Sequence, residues 1–167
     1  EGVEPNLAHV TDPDAWVAAS RESGLVIDGT VGARTEKLDD GIALTRKLGG
    51  DSMLVVARYD QKVPLTENWN RCRDQLKAAA PEAERQRIKL LVENVWATFL
   101  ISPFDMARFI DEIGSPWVQV HFDVGNMMRY REFQSSDSWA RLGTPVERWR
   151  WGFTPQTVNA SYSATNN

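Results

Sequence analysis

The stretch "LLVENVWATFL" (90–100), together with "VQVHFDVGN" (118–126), contains two apolar runs that each end in one carboxylate, Glu93 or Asp123. Short apolar runs rich in β-branched residues are typical of buried strands. A lone carboxylate at the end of such a strand is costly unless a cation or hydrogen bonds satisfy it. The two acids therefore predict a shared metal ion or, alternatively, separate caps of the helix or turn that follows each strand.

Composition excludes several classes of protein. The chain has 167 residues, of which 42% are hydrophobic and 25% charged, and its net charge is −4. These values are ordinary for one globular domain, and the negative charge argues against a nucleic-acid or acidic-membrane surface. The single cysteine, Cys72, excludes an internal disulfide and fits a cytoplasmic location. No signal peptide or membrane-spanning run is recognisable, so we expect neither secretion nor a membrane partner.

Strand-like and helix-like segments alternate over the first 130 residues. Nearly continuous apolar character predicts strands covered on both faces. The predicted strands are 24–30, 52–58, 89–95 and 117–124, with 2–5 as the tail of an earlier one. The predicted helices are 12–23, 36–48, 66–80 and 103–113, with a break at Pro81 and a further short turn over 82–87. This order predicts an α/β fold with a parallel sheet.

Helix ends carry recognisable signals. Asp12, Thr66 and Ser102 are predicted N-caps, and Gly24 and Gly114 follow helices as stop signals. The glycine-rich dinucleotide and P-loop motifs are absent, which removes the phosphate-binding turns of those classes. From 131 to 167 the sequence loses its strand runs, and we expect a divergent, poorly ordered C-terminal tail. The predicted domains are therefore 1–130 and 131–167.

The position of the two acids favours a common site. Side chains alternate along a strand, so Gln119, His121 and Asp123 share one face, and Glu93 shares a face with Leu91. Ligands of parallel α/β sheets bind at the carboxyl ends of the strands. Two carboxylates on adjacent strands at that edge suit a hard or borderline divalent cation such as Mg²⁺ or Mn²⁺.

The amino-acid sequence of one segment also resembles that of a known family. "LLVENVWATFLISPFDMARFIDEIGSPWVQVHFDVGN" (90–126) is similar to the sugar phosphate isomerase/epimerase family, the xylose-isomerase-like TIM barrels. "GVEP" (2–5), "GLVIDG" (24–29) and "LGGDSMLVV" (48–56) support the resemblance at matching intervals. The resemblance implies a parallel (β/α) barrel sheet that is incomplete, with about strands two to six of eight.

The resemblance also implies a metal site and a reaction. The family holds a divalent cation (Mn²⁺, Mg²⁺ or Co²⁺) with a Glu after strand five, an Asp after strand six, a His from strand seven and a Glu from strand eight. Glu93 matches the first ligand and, by the same resemblance, a proton-transfer base, and Asp123 matches the second. No histidine follows His121, so the strand-seven ligand has no match. The implied function is metal-dependent isomerisation or epimerisation of a sugar, sugar phosphate or polyol.

Two positions depart from the family pattern. Ketose 3-epimerases often carry a substrate-holding Glu six residues after the metal Glu, where this chain has Phe99. Epimerases and endonuclease-like members commonly place a His three residues after the metal Asp, where this chain has Asn126. These departures argue against a free ketohexose substrate and against abasic-site endonuclease activity.

Further residues are candidates for the substrate pocket. Glu4 follows the presumed second strand, and we expect it either to line the pocket or to lie at an exposed chain end. Arg58 is expected either to contact an anionic or polyol substrate or to lie in solvent. Trp96 packs under its loop or stacks on a sugar, and Asn126 completes the set. His121 is expected to be an interior histidine or to support the metal site. The alternative to an enzyme is a non-catalytic barrel remnant that acts as a binding module, with self-association through open sheet edges.

Overall fold

The computed structural model describes residues 2–95, 99–100 and 102–126, and the backbone alone of residues 34, 36 and 146–150. Strands and helices alternate along the chain. Their bounds are β1 (Gly2–Val3), α1 (Pro13–Ser23), β2 (Val26–Ile27), β3 (Gly29–Arg34), α2 (Leu38–Leu48), β4 (Ser52–Val56), α3 (Leu65–Gln86), β5 (Lys89–Glu93), α4 (Pro103–Ile113), β6 (Val118–Asp123) and β7 (Val146–Arg150). The predicted α/β alternation is therefore confirmed.

All strand pairs are parallel. β1 pairs with β2, and a five-stranded sheet has the order β3-β4-β5-β6-β7. A parallel bridge between Asn6 and Val31 connects the segment after β1 to β3. Successive strands are thus neighbours, with helices in most of the connections, which is the arrangement of an incomplete (β/α) barrel.

The predicted strand 24–30 is divided in the structure. β2 pairs with β1 and β3 pairs with β4, with Asp28 between them. β3 runs further than predicted, to Arg34, and its register with β4 shifts between Thr30 and Ala33. Gly32 lies in this shift with φ +86, and a Cβ there would come within 2.6 Å of the Asn6 side-chain oxygen. A glycine at this point therefore permits both the bulge and the close approach of Asn6.

The helix ends agree with the sequence signals except in α3. Asp12 caps α1 through hydrogen bonds from the backbone N–H groups of Asp14 and Ala15, and Gly24 ends it in the left-handed conformation. The prediction that Thr66 caps α3 is wrong, because the helix begins at Leu65 with Pro64 at the N-cap position. Ser102 holds the N-cap position of α4 without a side-chain cap bond.

Helix α3 does not break at Pro81, contrary to the prediction. It continues to Gln86 and ends at Arg87, which adopts a left-handed conformation with φ 56. Proline removes one backbone donor and crowds the preceding turn. The helix nevertheless continues because its buried stripe extends past the proline, with Ala79 and Ala80 before it and Ala83 after it. Tertiary packing therefore outweighs the local cost.

The main core lies between the sheet and the helices. Leu90, Val92, Val120 and Phe122 belong to this core and are almost completely buried. Leu91 and Glu93 alternate with the core residues of β5 and so face the opposite side of the sheet, the side that corresponds to a barrel interior. The functional side chains are consequently carried on strands whose other face is fixed by the helix layer.

The structure extends the sheet beyond the predicted boundary at residue 130. β7 pairs with β6 in parallel, so the expectation that no strand follows residue 131 is wrong for Val146–Arg150. Because β7 pairs with it, β6 is an interior strand of this sheet. The rest of 131–167 lies outside the described residues, and self-association through a sheet edge stays a prediction. Within the described part of the chain, no helix has the length and apolar character needed to cross a membrane.

Candidate functional site

Glu93 and Asp123 lie at the carboxyl ends of β5 and β6, which are neighbouring strands. Glu93 is in register with His121, and Asp123 follows two residues further along β6. Registered partners and residues two apart share a face, so all three side chains lie on the barrel-interior side. Glu93 is 9% exposed and Asp123 7%, while His121 is completely buried. The structure therefore places two buried acids on one face at one edge of the sheet.

The spacing of these acids suits one cation. Strands about 4.8 Å apart and a two-residue step of about 6.6 Å place the Cα atoms of Glu93 and Asp123 roughly 8 Å apart. Carboxylates are the side chains through which Mg²⁺ and Mn²⁺ are usually held, often one or two with water completing the shell. Among the described residues, no group of three His, Cys, Asp or Glu side chains could hold a metal ion. Within the described residues, the donor set at this edge is thus two carboxylates.

Hydrogen bonds hold both the backbone and the side-chain carboxylate of Asp123 in place. The Asn94 side chain donates to the Asp123 carbonyl oxygen at 3.0 Å and accepts from the Asp123 N–H at 2.7 Å. The Asn126 N–H donates to Asp123 Oδ1 at 3.0 Å. No local sequence signal marks Asn94, because its partner lies 29 residues away and only the strand pairing brings the two together. Asn126, a predicted substrate residue, contacts Asp123 through its backbone.

Arg58, another predicted substrate residue, lies in the loop after β4. Arg58 is exposed, and its backbone carbonyl oxygen accepts hydrogen bonds from the side chains of Arg71 and Cys72. The completely buried Asn68 holds this loop by bonds to the backbone of Asp60 at 2.8 and 2.9 Å. The loop at the carboxyl end of β4 is therefore well anchored, and a contact between Arg58 and substrate stays a prediction.

The remaining predicted substrate residues have different outcomes. Glu4 directly follows β1, which pairs with β2 outside the five-stranded sheet, and is half-buried; its role stays a prediction. Trp96 lies outside the described residues. The structure therefore brings Glu93, Asp123 and Asn126 together, while Arg58 follows β4 and Glu4 follows β1.

Phe99 packs into the helix layer. Its ring lies 5.8 Å from Trp69, 6.0 Å from Phe109 and 6.4 Å from Tyr59, measured between ring centroids. Tilted and edge-on arrangements at these separations are favourable for aromatic pairs. This cluster joins the loop after β4, through Tyr59, to the segment that follows Glu93. The position where ketose 3-epimerases often have a substrate-holding Glu is thus occupied by a packed ring.

The clearest electrostatic feature outside the site is Glu112 on α4. It accepts hydrogen bonds from the Trp69 indole at 2.7 Å, from Arg108 at 2.8 Å and from Arg73 at 3.4 Å. The Trp69 bond, followed by the Arg108 bond, lowers the pKa of the Glu112 carboxyl below its usual value. Arg108 also lies over the Trp69 ring, 5.2 Å from its centroid. This network ties α3 to α4 and stabilises the layer behind the site.

A parallel barrel sheet with buried acids at the carboxyl ends of its strands defines the class of TIM-barrel proteins, whose sites lie at that edge. The family model "Xylose isomerase-like TIM barrel" matches residues 19–149. The chain belongs to this family. The resemblance seen in the sequence is thereby confirmed, and the match extends past the predicted boundary at residue 130. No curated protein matches the chain.

Solved structures share the fold. A 3-keto-D-glucoside 4-epimerase from E. coli is 16% identical, with a TM-score of 0.74 over 89% of this chain and 67% of that one. A D-psicose 3-epimerase, solved in the presence of D-fructose, is 14% identical, with a TM-score of 0.73 over 98% and 71%. An L-ribulose 3-epimerase is 18% identical, with a TM-score of 0.64 over 93% and 72%. The chain thus spans about two thirds to three quarters of the length of these proteins.

Proposed function

We propose that this chain carries part of the active site of a divalent-metal-dependent isomerase or epimerase of a sugar, sugar phosphate or related polyol. The observation that carries the proposal is the pair Glu93 and Asp123, both buried on one face at the carboxyl ends of adjacent parallel strands. Two carboxylates on one face at the ends of neighbouring strands are a donor pair that one divalent cation can share. The solved structures with this fold include sugar epimerases, which supports a sugar as the substrate.

Each residue has a distinct role in the proposal. Glu93 and Asp123 would hold the cation (Mn²⁺, Mg²⁺ or Co²⁺), which when bound polarises a substrate carbonyl. Glu93 would remove the proton from the carbon next to that carbonyl. In an isomerisation it would return the proton to the neighbouring carbon, and in an epimerisation a second acid on the opposite face would deliver a proton to the same carbon. Glu4, Arg58, Trp96 and Asn126 are the proposed contacts to the substrate.

A cation titration tests the proposal directly. Two protein carboxylates leave most of an octahedral shell to water, so calorimetry with Mn²⁺ should give a Kd between about tens of micromolar and millimolar. Glu93→Gln and Asp123→Asn should each abolish the measurable heat. Asp111→Asn, which removes an exposed carboxylate on α4, is the matched control and should leave the Kd unchanged.

Solvent-isotope exchange tests the chemistry. In D₂O with Mn²⁺, a panel of ketoses, aldoses and their phosphates should show deuterium incorporation at the carbon beside the carbonyl, and Glu93→Gln should stop it. Cation binding that depends on both acids without any exchange would favour the alternative, a non-catalytic binding module. The absence of cation binding by the unaltered chain would refute the proposed site. Nanomolar binding lost in Glu93→Gln would instead show that further protein ligands complete the shell.

A further inference from the structure

Asn94 extends the pairing of β5 and β6 beyond the last backbone pair. That last pair is Glu93 with His121, and Asn94 is the next residue of the chain. Its completely buried side chain then bonds to both the N–H and the carbonyl oxygen of Asp123. A primary amide carries a donor and an acceptor side by side, so it can replace the backbone group of a strand. The residue that follows one proposed ligand is therefore fastened to the other ligand.

The two bonds constrain the geometry of the proposed site. Asp123 is held from β5 by Asn94, and its carboxylate is oriented by the backbone N–H of Asn126. A carboxylate oxygen that accepts one hydrogen bond keeps a second lone pair for a cation. Small hard cations accept little variation in ligand distance, so the separation of the two acids decides how well they act together.

We infer that Asn94 is a positioning residue, which sets the distance between Glu93 and Asp123 and so preorganises the two-carboxylate site. The inference rests on the proposed function, since it assigns Asn94 to the same cation. Loss of an outer partner of a metal ligand typically weakens metal affinity by about 10–100-fold. We expect Asn94→Ala to weaken Mn²⁺ binding by a factor in this range while Glu93 and Asp123 are both present.

The chain offers a matched control in Asn68. This residue is also completely buried, and it makes the same two-way bond to a backbone, accepting from Asp60 N–H at 2.8 Å and donating to Asp60 O at 2.9 Å. It lies on α3 and anchors the loop after β4. Its amide also bonds to Val63, Pro64 and Arg71, so Asn68→Ala removes at least as many buried hydrogen bonds without touching either acid. Any effect that comes only from lost stability should appear in both variants.

The experiment combines calorimetry with amide hydrogen exchange on the full chain. Asn94→Ala should weaken Mn²⁺ binding and speed exchange of the Asp123 amide by about tenfold or more relative to other β6 amides, because its acceptor is gone. Asn94→Ser, which is too short to bridge both groups, should give a smaller change of the same sign and is the safer variant to fold. Asn68→Ala should change neither quantity.

The outcomes separate this inference from the proposed function. Equal weakening of Mn²⁺ binding by Asn94→Ala and Asn68→Ala, or no weakening by Asn94→Ala, would overturn the positioning role while leaving the cation site intact. If the unaltered chain binds no Mn²⁺, the proposed function fails, and amide hydrogen exchange alone tests whether Asn94 holds Asp123 in place. In that case selective acceleration at Asp123 would uphold the geometric role of Asn94, and a uniform change across β6 would overturn it.

Discussion

Replacing Phe99 with Glu would restore the residue type that ketose 3-epimerases often have at this position, and the structure predicts a damaged fold rather than a new substrate contact. The Phe99 ring packs against three other aromatic rings at centroid distances of 5.8, 6.0 and 6.4 Å. A carboxylate placed there loses these contacts and must either desolvate or turn towards water. The position therefore serves packing of the helix layer.

The size of the effect follows from the burial of the ring. Truncating a fully buried Phe to Ala costs about 3–5 kcal/mol, and the half-buried Phe99 should fall at roughly 2–3 kcal/mol. The charge in Phe99→Glu should bring the total to about 3–4 kcal/mol. Phe99→Leu keeps most of the volume and should cost about 1 kcal/mol. Against a typical total stability of about 5–15 kcal/mol, the Glu variant loses a large fraction.

Urea denaturation followed by circular dichroism measures the stability of the three Phe99 variants relative to the unaltered chain. With a slope of about 2 kcal/mol/M, the midpoint should fall by about 1.5–2 M for Phe99→Glu and about 1–1.5 M for Phe99→Ala. Phe99→Leu should stay within about 0.5 M of the unaltered chain. A Glu variant as stable as the unaltered chain would refute the reasoning, since it would mean that position 99 faces the substrate pocket.

Two further predictions concern α3 and α4. Pro81→Ala should raise the free energy of unfolding by roughly 1–3 kcal/mol, and with it the urea midpoint, because an exposed interior proline lacks the backbone donor of a helix. An unchanged or lower midpoint would contradict this. Lys77→Ala, an exposed substitution on the same helix, is the neutral control. Glu112→Gln should cost about 1 kcal/mol at pH 7, where the ionised carboxylate accepts three bonds. Because the folded-state pKa of Glu112 is lowered, this contribution is present above the unfolded value of about 4.3 and is lost as the pH falls below it. Urea midpoints of the two proteins should therefore converge in acid, and a constant difference from pH 7 to pH 3 would show that the charge of Glu112 is irrelevant.

Local sequence signals predicted the elements whose formation depends on nearby residues. Short, mostly apolar runs identified β4, β5 and β6, and the Asp12 and Gly24 signals identified both ends of α1. The two acids were recognised because a carboxylate that ends an apolar run is a local anomaly. What these signals fix is each strand and the direction of its alternate side chains.

Features that depend on distant partners were not predictable in this way. Pro81 is a local helix breaker, and only the packing of Ala83 and its neighbours against the sheet keeps α3 continuous. Asn94 has no special local pattern, and its bonds exist because β6 lies beside it. β7 has three charged residues among its five and lacks the continuous apolar run of the other strands, so its pairing with β6 was not evident from composition.

The register of β7 bears on how the proposed cation shell is completed. His121 is in register with Arg148 and Asp123 with Arg150, so the strand beside β6 has arginines at the backbone positions next to the site. Arginine carries no lone pair for a metal, and no histidine follows His121 in the sequence. If Glu93 and Asp123 hold a cation as proposed, the oxygens of a polyol substrate can supply further ligands to it. Since each then supplies ligands or charge that the other needs, cation and substrate should strengthen each other's binding by the same factor. In this respect a site with two carboxylates differs from a closed cage: the affinity of the metal depends on the substrate, and the substrate is selected by the pair of oxygens that it can present to the metal.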